Sequence, residues 1–221
     1  MFLTRMQIAI ALFTLFVLIG SVLANTQLQK TLFTPEQYLQ ASKKYGPLAA
    51  KRFKAWQALV DNNLQKSERI KLEKVNNFFN QVLWVSDQKH WGVSDYWATP
   101  IELLGTDAGD CEDYTIAKYF TLKALGVPEK KLYLTYVKAV RLNQAHMVLT
   151  YFEKPNTIPL VLDNINKRIL PANKRRDLVP IYSFNGDGLW LAKERGKGKA
   201  VAGGSSRLKK WNSLLKKMDM N

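Results

Sequence analysis

The stretch LYLTYVKAVRLNQAHMVLTYF, residues 132–152, alternates apolar and polar side chains with a period of two and breaks once, at Asn143-Gln144. Such alternation belongs to an extended chain with one face in a core, and a two-residue break of turn-forming residues folds it back on itself. The stretch therefore predicts two antiparallel strands, Leu132 to Leu142 and Ala145 to Phe152. Leu160 to Asp163 predicts a third. Ile181 to Phe184 and Leu189 to Leu191, separated by Asn185-Gly186-Asp187-Gly188, predict a further hairpin.

Upstream the period changes. Thr34-Pro35-Glu36-Gln37 combines a capping threonine, a proline at the first helical position and a glutamine three residues after the cap, and the helix it starts should stop at Gly46. Phe53, Trp56, Leu59 and Val60 fall on one face of a second helix, and Val75, Phe78, Phe79 and Val82 on one face of a third. These stripes read as core. A stretch rich in Trp, Gly, Thr and Pro separates Trp84 from Gly109, and loops of that length are often functional. A helix from about Cys111 to Leu125 follows, closed by Gly126 and Pro128. Helices first and antiparallel strands later make this an α+β domain, its helical N-terminal half packed on an antiparallel sheet. With 221 residues, 47% of them apolar, the chain suffices for one such domain.

Residues 1–24 follow a different pattern: a basic Arg5, an apolar run from Ile8 to Ile19, then Ser21-Val22-Leu23-Ala24. That is the layout of a secretory signal peptide, with cleavage expected after Ala24. An uncleaved membrane anchor fits the same residues, and either reading places the rest outside the cytoplasm. The globular domain is then expected over residues 25–192. The net charge of +15 falls to +14 without Arg5, and half of it lies in residues 193–221, where nine Lys or Arg face two acids. Those residues read as a basic flexible tail. Leu208, Trp211, Leu214 and Leu215 lie at helical spacing within it and suit contact with an anionic membrane surface. No nucleic-acid motif accompanies the charge, so nucleic acid is not an expected partner.

Cys111 is the only cysteine. No intramolecular disulfide can use it, and an unpaired cysteine in an exported protein is either a reactive thiol or a small buried hydrophobe. Its place at a helix start favours the thiolate. Beyond the first 24 residues there are two histidines, His90 and His146. His146 opens one predicted strand and Asp163 closes the next, an antiparallel arrangement in which a carboxylate can orient an imidazole and the imidazole can take a thiol proton. A structural histidine and a turn-forming aspartate fit the same spacing. The segment Gly109-Asp110-Cys111-Glu112-Asp113 crowds three carboxylates around the sulfur, which raises a thiol pKa unless a cation neutralises them. Dense oxygen donors suit calcium; Asp110 and Asp113 equally suit a helix cap.

The run Asp95-Tyr96-Trp97-Ala98-Thr99-Pro100, then Gly109-Asp110-Cys111-Glu112-Asp113-Tyr114 and Ala117-Lys118-Tyr119, resembles the bacterial transglutaminase-like cysteine proteinases. So do His146-Met147-Val148-Leu149, Leu160-Val161-Leu162-Asp163-Asn164 and Pro180-Ile181-Tyr182-Ser183-Phe184-Asn185. The likeness spans about residues 75–191, in the family's order. It implies a papain/transglutaminase-like core with Cys111, His146 and Asp163 as nucleophile, base and acid. It implies calcium held by Asp110, Glu112 and Asp113, with Asp95 a further possibility, and an oxyanion site at the Cys111 amide with a second donor from the Trp97 loop. Periplasmic members release a large surface adhesin by cutting near its N-terminus at a paired-alanine site. They are held inactive by the periplasmic domain of an inner-membrane receptor for cyclic di-GMP. The resemblance thus implies a periplasmic endopeptidase that promotes biofilm dispersal. Two rivals stay open: amide transfer or amidase chemistry by the same triad on another substrate, and a calcium-stabilised binding module without catalysis.

Overall fold

A computed structural model describes residues 31–192 and 197–220; the expected signal peptide lies outside the described residues. The N-terminal half is helical because its apolar residues recur at three and four. Helix α1, Pro35–Asp61, starts in a full capping box between Thr34 and Gln37. At Gly46 the backbone turns to φ 83° and Pro47 follows, so the chain kinks there and a second helical segment continues to Asp61. Phe53, Trp56 and Val60 of that segment are buried, as are Val75 and Phe79 of α2, Glu68–Phe79. Phe33 packs edge-on against Trp56 with ring centroids 5.0 Å apart.

Short elements then lead to the candidate site: β1 (Leu83–Trp84), α3 (Asp87–His90), α4 (Pro100–Thr106) and β2 (Ala108–Gly109). β1 and β2 pair in parallel, Leu83 opposite Ala108 and Trp84 opposite Gly109. The long loop is thereby closed and the chain delivered into α5, Cys111–Ala124. Gly109 has to be glycine, because a Cβ there would lie 2.6 Å from Asp113 Oδ2 and from Leu103 Cδ1.

The second half forms a seven-stranded antiparallel sheet in the order β6-β5-β4-β3-β7-β8-β9. Its strands are β3 (Leu132–Ala139), β4 (Gln144–Tyr151), β5 (Leu160–Leu162), β6 (Leu170–Pro171), β7 (Leu178–Asn185), β8 (Gly188–Ala192) and β9 (Lys197–Ala200). Both predicted hairpins are present, with Val137 opposite His146 and Tyr182 opposite Leu191, but the first turn is four residues, Val140 to Asn143, and not the expected Asn143-Gln144: Gln144 already pairs with Ala139. Leu132, Leu134, Met147, Leu149, Leu162 and Phe184 join the buried helical residues in one core. The fold is therefore the expected α+β arrangement, helices on an antiparallel sheet.

The C-terminal residues depart from expectation. In place of a flexible tail, residues 197–200 extend the sheet as β9, and Lys209–Met220 form α6. The stripe expected to face a membrane is core: Trp211 and Leu214 are 2% and 0% exposed. Trp211 stacks on Phe120 at 5.7 Å and meets Phe184 edge-on at 5.4 Å. Glycine, serine and lysine suggested a linker, yet an amphipathic helix buries its apolar stripe wherever a complementary surface is within reach. Trp211→Ala is expected to cost about 3–5 kcal/mol, measured as a lowered midpoint in urea unfolding.

Candidate active site

Helix α5 begins at Cys111, with Asp110 as its cap. Asp113 is fully buried and spends both carboxylate oxygens on backbone: Oδ2 accepts from the Asp110 amide at 3.1 Å and Oδ1 from the Ala98 amide at 2.7 Å. It therefore holds both the start of the helix and the loop in front of it. Thr115 Oγ1 sits 2.9 Å from the Cys111 carbonyl and 3.1 Å from the Met147 carbonyl, which fastens the first turn of α5 to β4 one residue past His146.

His146 and Asp163 are brought together as the antiparallel pairing of β4 and β5 requires. Nε2 of His146 lies 2.8 Å from Asp163 Oδ1, and the two residues are 2% and 1% exposed. Asp163 Oδ1 also accepts from the Ile165 amide at 3.0 Å, and Oδ2 accepts from Arg175 Nη2 at 2.7 Å. Burial opposes ionisation of this carboxyl, but His146 and Arg175 outweigh it and hold its pKa well below the usual carboxylate range. Nε2 is thus committed to Asp163, and Nδ1 is the imidazole's second nitrogen.

Arg175 had no signal in sequence. It stands in the loop after β6, 3% exposed, and is itself steadied by Asp177 through Nε at 3.0 Å and Nη2 at 2.8 Å. Removing one partner of a buried ion pair strands the other, so Arg175→Ala is expected to cost about 3–5 kcal/mol, read as a drop in the thermal midpoint.

The sulfur of Cys111 hydrogen-bonds a carboxylate and not the imidazole. Sγ donates to Glu112 Oε2 at 3.1 Å, and the Met147 amide is directed at it. Burial first, then the charges of Glu112 and Asp110, push the thiol well above its ordinary pKa. A thiol in that state is a poor nucleophile. Asp110 is likewise pushed up to about 8, by burial and then by its hydrogen bond with Glu112.

The remedy lies in the same cluster. Ligand atoms of Asp110, Cys111 and Glu112, of Asp87, Asp110 and Asp113, and of Asp87, Asp95 and Glu112 lie within 4.8 Å of one another in each group. Oδ1 of Asp87 and Oδ1 of Asp110 are buried with no hydrogen-bond partner. Orphaned carboxylate oxygens facing other carboxylates fit a hard divalent cation. Of the three acids flanking the cysteine, Asp110 lies with Glu112 in one group and with Asp113 in another, while Asp113 already has both oxygens on backbone amides; Asp95 joins Asp87 and Glu112 at the exposed rim, and Asp87 is an addition. Asp87 is 3% exposed, with Oδ2 accepting from the Tyr96 amide at 2.5 Å. Its only local mark in sequence is a Ser86-Asp87 pair that suits any helix start. In the loop expected to lend a second oxyanion donor, the Tyr96 and Ala98 amides are committed to Asp87 and Asp113, while Trp97 stacks on Phe184 at 5.9 Å.

A cysteine heading a helix that is laid against an antiparallel sheet, with a buried histidine–aspartate pair on that sheet, defines the class of papain- and transglutaminase-like folds. Within that class the chain belongs to the bacterial transglutaminase-like cysteine proteinases, whose family model matches residues 38–188. It is similar to Legionella pneumophila LapG, at 44% identity over 85% of this chain and 98% of that one, with a TM-score of 0.73. Calcium-bound LapG is similar at 44% identity over 84% and 99% of the two chains, TM-score 0.72, and EGTA-treated LapG at 45% over 85% and 98%, TM-score 0.74. No curated protein matches the sequence. Among the described residues no helix is long and apolar enough to cross a membrane.

Proposed function

We propose that this chain is a calcium-dependent cysteine endopeptidase of the periplasm that cuts a large surface adhesin near its N-terminus at a paired-alanine site, releasing it and promoting biofilm dispersal. The observation that carries the reading is the pair of orphaned carboxylate oxygens, Asp87 Oδ1 and Asp110 Oδ1, buried beside the nucleophile. The likeness to calcium-bound LapG supports calcium as the ion. Asp87, Asp110 and Glu112 would hold it, with Asp95 at the rim and Asp113 fixing the frame. Bound there, calcium supplies the positive charge that keeps the carboxylates ionised and favours the thiolate.

In the proposed reaction His146, through Nδ1, takes the proton of Cys111, and the sulfur attacks the scissile carbonyl. The amide of Cys111, at the positive end of α5, faces the oxyanion. The imidazolium, oriented by Asp163, returns the proton to the leaving amine as the C–N bond breaks. Water, deprotonated by the same imidazole, then cleaves the thioester and frees Cys111. We further propose, on the same resemblance, that the inhibitory periplasmic domain of an inner-membrane cyclic di-GMP receptor binds the chain.

The discriminating experiment offers residues 25–221 an adhesin N-terminal fragment in calcium, together with a fluorescent primary amine. Cleavage at the paired alanines without amine incorporation is expected. Incorporation of the amine would replace the endopeptidase reading with acyl transfer. Full biological activity in a folded Cys111→Ser variant would replace it with a binding module.

A further inference from the structure

Lys118 stands seven residues after Cys111 in α5, two helical turns on, so it leaves the helix on the nucleophile's face. It is 1% exposed. Its Nζ donates to Asn80 Oδ1 at 2.7 Å and lies 5.9 Å from the centroid of the Tyr114 ring. Asn80 caps the C-terminus of α2, is 6% exposed, and uses the other end of its amide: Nδ2 donates to the main-chain carbonyl of Asp163 at 2.9 Å. The planar amide therefore joins the helix of Cys111 to the backbone of Asp163, and neither end can shift without the other.

A wholly buried ammonium bonded to a neutral amide is unfavourable on its own, and an apolar side chain of the same length would fill the space without that cost. Burial pushes Lys118 down to about 7, opposed by the charge of Asp163. The Asp163 carboxylate is already gripped by Arg175 and His146. Nothing in core packing calls for a cation at this point; a link between nucleophile helix and acid does.

We propose that Lys118, acting through Asn80, is a positioning residue for the reaction: the relay holds Asp163 at a fixed offset from the helix of Cys111, and so sets the gap in which His146 works. This rests on the assignment of Cys111, His146 and Asp163 as a triad. The test uses the calcium-loaded protein with Lys118→Met, which keeps the packing, with Asn80→Asp, which keeps an acceptor for Lys118 but loses the donor to Asp163, and with both changes.

Each single change is expected to lower kcat ~10-fold, the scale of a displaced catalytic group, with KM unchanged. The double variant should be no slower than the singles, and the unfolding midpoint of Lys118→Met should fall by no more than one unsatisfied amide oxygen costs, because a buried charge is removed with it. The rate of Cys111 alkylation by iodoacetamide, which needs no substrate, should drop in step. Full kcat in either folded variant, or a loss confined to KM, overturns the relay; should Lys118→Met fail to fold, Asn80→Asp decides. Wild-type protein that alkylates fast but leaves the adhesin fragment intact would sink the substrate assignment alone, and the alkylation series would still judge the relay.

Discussion

Cys111→Ala is expected to reduce cleavage by about 10⁴-fold or more, because removal of a nucleophile leaves only what binding and the oxyanion donors provide. Urea unfolding should change far less than activity, since the thiol makes one side-chain hydrogen bond, to the Glu112 carboxylate. His146→Ala should fall as far, and the double variant no further, because the two residues act as one unit. The His146 change, unlike that at Cys111, also leaves the buried Asp163 carboxylate with one partner fewer, so its stability should drop measurably as well. Near-normal turnover in either folded variant would remove that residue from the triad.

The second large effect concerns the acidic cluster. Asp110→Asn and Asp87→Asn each remove one charged oxygen donor from a site that has few others, and each is expected to weaken calcium binding by roughly 10–100-fold, the scale on which changes around a metal site act. Titration calorimetry reads that directly, and the calcium concentration for half-maximal cleavage should rise with it. Asp113→Asn is expected to behave differently. Its oxygens accept from the Asp110 and Ala98 amides, and an asparagine can satisfy one of them at most, so stability and calcium affinity should fall together. Unchanged affinity in both Asp87→Asn and Asp110→Asn would return those acids to a purely structural role.

Much of this arrangement was legible in sequence because it rests on local periodicity. The stripes at Phe53, Trp56 and Val60 and at Val75 and Phe79 are core, and the alternation across residues 132–152 gave the central hairpin, which places His146 near the end of its neighbour β5. Resemblance to a family singled out Cys111, His146, Asp163 and the acids beside the cysteine. The residues without a local sequence signal share one property: their partners lie outside any local pattern. Asp87 meets Asp110 only because β1 pairs with β2 across the long loop. Arg175 reaches back 12 residues to Asp163, and Asn80 reaches forward 83 residues to the same residue. No local pattern carries such contacts.

The C-terminal segment is ambiguous in sequence for a related reason. A Gly-Ser-Lys composition outweighed the spacing of Leu208, Trp211 and Leu214, although that spacing already described a helix in need of a surface. The surface comes from Tyr119, Phe120 and Phe184, aromatic residues of two other elements. Lys210 and Lys217 of α6 also reach the loop that covers the acidic cluster, Lys210 pairing with Asp95 at 2.6 Å and Lys217 donating to the Trp97 carbonyl at 2.5 Å. The lysines that raised the net charge thus help hold the loop in place.

If an ion at the acidic cluster switches on a cysteine protease, cleavage of an adhesin N-terminal fragment carrying a paired-alanine site by purified residues 25–221 must follow the ion through three conditions: calcium, chelator, and chelator followed by excess calcium. Cleavage in the first, none in the second and recovery in the third is the expected result. Cleavage that continues undiminished in chelator would return Asp87, Asp110 and Glu112 to a purely structural role.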